Sequence, residues 1–300
     1  MENKTADNTT PKSEWILLFI LAAIQFVNIL DFVIMMPLGP QFMRVFGINP
    51  SQFGLIVSSY TFSASIFGFI AAFFVDKFDR KLTLITVLTG FTISTFLCSI
   101  ANTYEFLMIA RILSGMFGGV MGASLFAIIG DEIPASRRGR ATGIVMSGFA
   151  LASVFGIPLG LYMANIADWH APFSLLTFAS LIILPGAFFK LPSMKNHIKN
   201  TDKKDNIQEM KNLLSEPNHK VAFLLTVLLT FGGFCIIPFL SPYLVANVGL
   251  TEKDLPFIYL VGGAFTLFTA PINGILSDRF GKRKIFRIMA FTSLFPILII

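Results

Sequence analysis

The chain is 300 residues long, 54% hydrophobic and only 13% charged, with a formal net charge of +6 and a mean hydropathy of +0.73. A soluble domain carries roughly a quarter charged residues, so side chains this apolar cannot all hide in a water-solvated core, and lipid must be the solvent for much of the chain. The basic excess follows membrane topology instead of forming a nucleic-acid patch, and no nucleic-acid partner is expected.

Residues 1–14 form a polar tail of mixed charge, MENKTADNTTPKSE. The apolar run behind it is about 24 residues, longer than the roughly 7–15 of a signal peptide, and reads as a retained span. A helix crosses the hydrocarbon layer in about 20 residues. On that ruler nine apolar segments follow in order: 15–38, 52–75, 82–100, 106–130, 141–164, 171–189, 221–240, 255–276 and 286–300. None alternates in polarity as a barrel strand would, so the expected fold class is an all-α membrane protein.

The Lys and Arg residues set the orientation. Those in the tail and in segments 77–81, 137–140, 190–220 and 279–287 all fall on one side of the membrane. Only Arg44 and Lys253 fall on the other, and Arg111 lies within a span. The positive-inside rule then predicts a multi-pass bacterial inner-membrane protein with a cytoplasmic amino terminus. Trp15 and Trp169 sit at expected interfaces. Residues 191–220 are too polar to cross and divide a six-span bundle over 15–190 from three spans over 221–300. The ninth segment is short and stops flush with Ile300. The odd count leads to the expectation that the second bundle is incomplete.

Cys98 and Cys235 lie in apolar runs without a CxxC or Cys/His cluster, so no metal or disulfide is expected. Asp31 lies well inside the first span. A carboxylate there must be protonated, paired or facing water, which are the states a proton-coupling group exchanges. Gln25 and Asn28 share with it an arc of roughly 120° at 100° per residue, the expected cavity-facing stripe. Arg111 is either its charge partner or an anchor reaching the interface. Gly115, Gly118 and Gly122 fall within about 40° of Arg111 at that same helical turn and permit close helix approach. Gly148, Ala152, Gly156 and Gly160 recur every four residues with Pro158 among them, a ladder for tight crossing with a potential bend. Tyr60, Ser63, Thr269 and Asn273 are weaker candidates for lining a cavity.

A repeat links the two halves: AFFVDKFDRK at 72–81 after the second span, and GILSDRFGKRK at 274–284 after the eighth. The pair resembles the signature loop of the major facilitator superfamily, G-x-x-x-D-R/K-x-G-R-K/R. The second copy matches throughout, including Gly274, Asp278, Arg279, Gly281 and Lys282; the first has Ala72 and Asp79 in place of the glycines, beside Asp76, Lys77 and Arg80. At position 79 an aspartate in the left-handed turn conformation is the expectation. The run LDFVIMMP at 30–37 resembles the first-span motif of drug:proton antiporters, and RILSG at 111–115 the fourth-span motif. RGRAT at 138–142 and GIPLG at 156–160 resemble the fifth helix of the drug and sugar efflux branches.

The resemblance implies the major facilitator fold and a secondary transporter without cofactor, exchanging a small molecule for protons by alternating access, as a monomer. It implies gating roles for the two loops, with Asp278 near Arg140 and Asp76 facing an eleventh span. It ties Gly148, Gly156, Pro158 and Gly160 to antiport. The chain carries no GxxxxGK[ST] and no nucleophile–base set, so neither an ATP motor nor an enzyme is expected. A uniporter or importer of the same fold and a non-transporting piece of such a protein remain open readings, and the substrate is not legible.

Overall fold

The computed structural model describes residues 11–195, 198 and 215–299. Helix α1, Pro11–Ile34, ends earlier than the apolar run that announced it, because a turn at residues 35–38 leads into the short helix α2, Gly39–Phe46. Gly47 closes α2 at φ 62°, a left-handed position where glycine has no Cβ penalty. Helix α3, Pro50–Ala71, starts with a capping box in which Asn49 and Gln52 satisfy each other's backbone N–H groups. After it come α4, Arg80–Ser99, and α5, Tyr104–Glu132, the latter capped by Thr103.

The fifth apolar segment is one helix in three parts: α6, Arg138–Leu151, a π turn at Ala152–Gly156, and α7, Ile157–Ile166. Pro158 explains the interruption. Its ring lacks a donor and crowds the carbonyl four residues back, and a wider turn accommodates both. Then follow α8, Ala171–Lys190, α9, Pro217–Ala246, α10, Leu255–Phe280, and α11, Lys282–Ile299. Among the described residues seven helices are long and apolar enough to cross a bilayer, and α10 adds a shorter apolar stretch, Leu255–Thr266.

The first six spans pack as a bundle. Helices α3 and α4 both lie on α5, α8 lies on α4, and α1 touches α5, α6, α7 and α8. The core is apolar, with Leu21, Ile24, Val27, Ile56, Leu84, Phe91 and Leu125 fully buried. Outward-facing phenylalanines such as Phe62, Phe178 and Phe189 are exposed, as expected where lipid is the solvent.

Small residues set how closely the spans approach. A Cβ on Gly115 or Gly119 would stand less than 3.0 Å from backbone atoms of Tyr60 or Ala64, so α3 and α5 touch backbone to backbone. A Cβ on Gly148 would meet Ala22 O at 2.7 Å, on Gly156 Leu30 at 2.8 Å and on Gly160 Ile34 at 2.7 Å. The ladder thus runs along one side of α1. Gly263 of α10 lies in the same way against Ser153 and Val154 of the π turn.

Helices α9 and α10 join the bundle unevenly. At the end opposite the amino terminus of α1, Pro238, Ser241 and Pro242 of α9 are buried, with Phe239 edge-on to Phe53 at 6.2 Å. There Arg44 of α2 pairs with both carboxylate oxygens of Glu252. Asn165 of α7 donates to the Glu252 carbonyl at 3.1 Å and accepts from Gln41 at 3.2 Å. Toward the basic end residues 217–232 of α9 are exposed. Helix α9 thus meets the first bundle at the end that holds Glu252 and stands exposed over residues 217–232 at the other.

Candidate functional site

Four spans bring polar side chains to one point inside the first bundle. Asp31 comes from α1, where it falls on the side turned inward, and Arg111 from α5, one turn before the glycines that let α3 come close. The Arg111 Nη1 donates to Asp31 Oδ2 at 2.8 Å, and the two side chains are 1% and 0% exposed. Arg111 is therefore not an interfacial anchor: its guanidinium carbon lies 4.5 Å from the Tyr60 ring centre, a cation–π contact strengthened by the dry setting.

The pair is embedded in weaker polar contacts. The Tyr60 hydroxyl donates to Asn28 Oδ1 at 3.2 Å, and Asn28 Nδ2 donates to the Gly118 carbonyl at 3.4 Å. Ser63 donates to the Ile112 carbonyl at 2.7 Å, and Cys98 Sγ lies 3.9 Å from the Ser114 hydroxyl. The second Asp31 oxygen, Arg111 Nε and the Thr95 hydroxyl are buried without a hydrogen bond of good geometry, although Thr95 faces Asp31. Buried polar atoms are nearly always paired; Thr95 and Asp31 are turned toward each other, which leaves Arg111 Nε as hydrogen-bonding capacity in reserve.

Gln25 and Asn28, which share the expected cavity-facing stripe with Asp31, are buried with it inside the bundle. Gln25 packs beside Gly148, and its Oε1 has no hydrogen bond. Sequence reasoning missed Thr95 and Ser114, since Ser and Thr in apolar helices usually bond their own backbone and nothing local distinguishes these two. Of the weaker lining candidates, Tyr60 and Ser63 are buried, Thr269 is exposed and Asn273 is half-buried on α10.

At the basic end, Arg80 is buried and holds Asp76 at 2.7 Å and Asp131 of α5 at 2.8 Å. Asp76 pairs with Arg80 within its own loop, and its expected approach to an eleventh span lies outside the described residues. Lys77 and Lys282 are exposed, and Arg279 stacks on Phe280 at 5.3 Å. The side chain of Asp278, and with it the expected approach to Arg140, lies outside the described residues; Arg140 itself lies over the Trp15 ring at 4.9 Å. Gly281 ends α10 at φ 91°, a value that favours glycine.

Asp79 corrects the expectation for the first loop. It sits at φ −58° and ψ 125°, not in the left-handed region, and caps α4 through the Lys81 N–H. The same carboxylate accepts from the Ser193 hydroxyl and the Met194 N–H, while Met194 O accepts from Arg80 N–H. Met194 is buried, so residues 191–195 form a strap across the loop. Partial burial alone would raise the Asp79 pKa. The hydrogen bonds from Ser193, Met194 and Lys81, with the Lys195 charge, outweigh it and hold the pKa below the ordinary value.

The ionised form is the one the fold favours. Its contribution is therefore complete above the unfolded pKa of about 3.9 and is lost as pH falls through the lower folded value. Replacing Asp79 by glycine, the family residue, is expected to speed tryptic cleavage after Lys195 several-fold near neutral pH, with Asp79→Asn intermediate. Equal cleavage rates in all three proteins would exclude the clasp.

The profile of the Major Facilitator Superfamily matches residues 21–300. The chain is 27% identical over 267 residues to the uncharacterized MFS-type transporter YceJ of Bacillus subtilis (strain 168), covering 89% of this chain and 68% of that protein. It is 25% identical over 256 residues to the quinolone resistance protein NorA of Staphylococcus aureus (strain N315), covering 83% and 63%. Among solved structures, it superposes on an inward-facing, unoccupied bacterial homolog of the human lysosomal transporter Spinster with a TM-score of 0.74 at 17% identity, covering 91% and 64%. A D-xylose–proton symporter superposes with a TM-score of 0.70 at 16% identity, covering 88% and 69%. The chain thus spans about two thirds of the length of these proteins.

Proposed function

This chain belongs to the Major Facilitator Superfamily, and on that premise we propose that it exports a small molecule in exchange for protons, by alternating access. The buried Asp31–Arg111 pair carries the reading. A carboxylate can accept a proton, whereas a guanidinium keeps its charge at any accessible pH. Protonation of Asp31 therefore ends the ionic attraction and leaves Arg111 to Tyr60 and to whatever polar group approaches its free Nε. Deprotonation restores the pair. The two charge states favour different packings of α1 against α5, which is the kind of two-state element that coupling requires.

The uneven junction of α9 and α10 supports the alternating part of this reading. The clamp of Arg44, Glu252, Asn165 and Gln41 closes one end, and α9 stands exposed toward the basic end. With the amino terminus in the cytoplasm of a bacterial cell, as the distribution of Lys and Arg favours, this is an inward-open state. The gating loops act on the same equilibrium, Asp76, Arg80 and Asp131 at one copy and Asp278, Arg279, Gly281 and Lys282 at the other. The ladder of Gly148, Gly156 and Gly160 keeps α1 in register with α6 and α7 while Pro158 and the π turn supply the flexible point. A monomer suffices, since the pair and the ladder lie within one bundle. Export is favoured over import because the drug-resistance protein NorA is among the relatives.

The test is transport by the 300-residue chain in proteoliposomes carrying an imposed pH gradient, with quinolones and pentoses as trial solutes. Gradient-driven accumulation that stops when nigericin collapses the gradient is expected. Accumulation to equilibrium that is indifferent to nigericin would establish uniport and overturn the coupling.

A further inference from the structure

A cavity lies outside the polar core, between α3 and α9. It has a volume of about 400 Å³, within the usual range for small-molecule sites of roughly 300–1,000 Å³. Its wall on α3 includes Ser58, Thr61 and Ser65, and its wall on α9 includes Phe231, Phe234 and Phe239. Among the described residues no charged side chain lines it. An ionic ligand would therefore lose hydration there without gaining a counter-charge.

The hydroxyls narrow the chemistry further. Ser58 donates to Leu55 O at 3.2 Å, Thr61 to Ser58 O at 2.9 Å and Ser65 to Thr61 O at 2.8 Å. Each has its single proton engaged in its own helix, so what it offers a ligand is oxygen lone pairs. The cavity thus presents hydroxyl oxygens along α3, and on α9 three aromatic rings beside the Thr230 hydroxyl. A matching ligand is uncharged, flat and aromatic, and carries an N–H or O–H donor.

This cavity is also connected to the ion pair. Phe234 packs on Phe32 at 5.7 Å between ring centres, Phe32 stacks on Tyr60 at 5.3 Å, and Tyr60 lies against Arg111. Phe32 is the neighbour of Asp31 in the chain and is half-buried between the two sites. Any shift of Phe234 on ligand binding presses on a side chain that presses on the ring holding Arg111.

We propose that the α3–α9 cavity binds uncharged aromatic molecules bearing an N–H or O–H donor, and that Phe32 couples its occupancy to the Asp31–Arg111 pair. The coupling clause rests on the transport reading above; the binding clause does not. Two dyes with one skeleton separate the possibilities: N-phenyl-1-naphthylamine, which is neutral, and 1-anilinonaphthalene-8-sulfonate, which adds an anionic group. Binding is measured by fluorescence on the whole chain in phosphatidylcholine nanodiscs, with empty nanodiscs subtracted and no pH gradient.

Saturable binding of the neutral dye is expected, and binding of the sulfonate at least about tenfold weaker. Thr61→Trp, which narrows the cavity, and Phe234→Ala, which removes an aromatic wall, should each weaken the neutral dye by about tenfold. Monodisperse elution and native far-UV dichroism confirm that each variant is folded, and Phe234→Ala serves if Thr61→Trp is not. No saturable binding, equal affinity for the sulfonate, or affinity unchanged in a folded variant would overturn the site. For the coupling, Asp31→Asn, or the more stable Asp31→Asn/Arg111→Met if Asp31→Asn does not fold, should change neutral-dye affinity at least about threefold, and should no longer do so in a Phe32→Ala background. The same effect of Asp31→Asn in both backgrounds, or none in either, would overturn the coupling while leaving the site. Failure of gradient-driven transport together with Thr61-dependent binding would refute the transport reading alone.

Discussion

Asp31→Asn is expected to destabilise the bundle by about 3–5 kcal/mol, because it leaves the Arg111 guanidinium buried without a counter-charge. That side chain is 1% exposed, and its remaining strong contact is the Tyr60 ring. An arginine cannot shed its proton to escape, so the fold must admit water or part α5 from α1. The reverse change should be milder. Arg111→Met leaves a carboxyl group that can take up a proton and become neutral, and the cost is expected to be about half as large. In Asp31→Asn/Arg111→Met both charges are gone, and most of the lost stability should return. Thermal unfolding of the purified proteins in one detergent reads all three, at neutral pH. A double variant as unstable as Asp31→Asn would mean that the two residues act independently.

In transport the same series is expected to behave differently. The double variant recovers stability but has no titratable group at this point, so it should remain inactive in the pH-gradient assay. This divergence separates coupling from mere structural need. Stability and transport recovering together would argue that the pair only holds the bundle.

The second large effect concerns the glycine stripe beside Arg111. A Cβ on Gly115 would stand under 3.0 Å from three backbone atoms of Tyr60. Backbone cannot swing aside as a side-chain tip can, so Gly115→Ala must push α3 away from α5. The expected cost is about 1–3 kcal/mol, with a further loss for Gly115→Leu. Tyr60 moves with α3, so its hold on Arg111 and Asn28 should loosen in the same variant. Gly122, on the same stripe, is a control: its Cβ would lie 3.6 Å from Asn28 Nδ2, an ordinary contact. Gly122→Ala should be neutral or stabilising by up to about 1 kcal/mol, since alanine has the better helix propensity. The unfolding midpoint should therefore fall in Gly115→Ala and stay or rise in Gly122→Ala. Equal shifts would show that helical propensity, and not the α3–α5 approach, decides.

The sequence treats Gly115, Gly118 and Gly122 alike, because angular position on a helix is all it contains. Which of them meets a neighbour's backbone depends on where that neighbour crosses. The same limit applies to Asp31 and Arg111. Each stands out singly, as a charge in an apolar run, but their pairing spans eighty positions and needs the crossing of α1 and α5. Asp79 shows the opposite error. Its departure from the family glycine looked like a tolerated turn residue, yet its carboxylate clasps a strap more than a hundred residues away.

Membrane insertion and the helical class follow from composition and segment length alone, since lipid demands internally satisfied backbones and a helix needs a fixed number of apolar residues to cross. The family followed from a repeated local motif. Those properties are local or additive along the chain, and so they survive without coordinates. The burial of the polar stripe, the π turn at Ala152–Gly156, the clamp on Glu252 and the ring path from Phe234 to Arg111 were decided only by tertiary structure. Each depends on the crossing of distant helices, set by which small residues allow two backbones to touch.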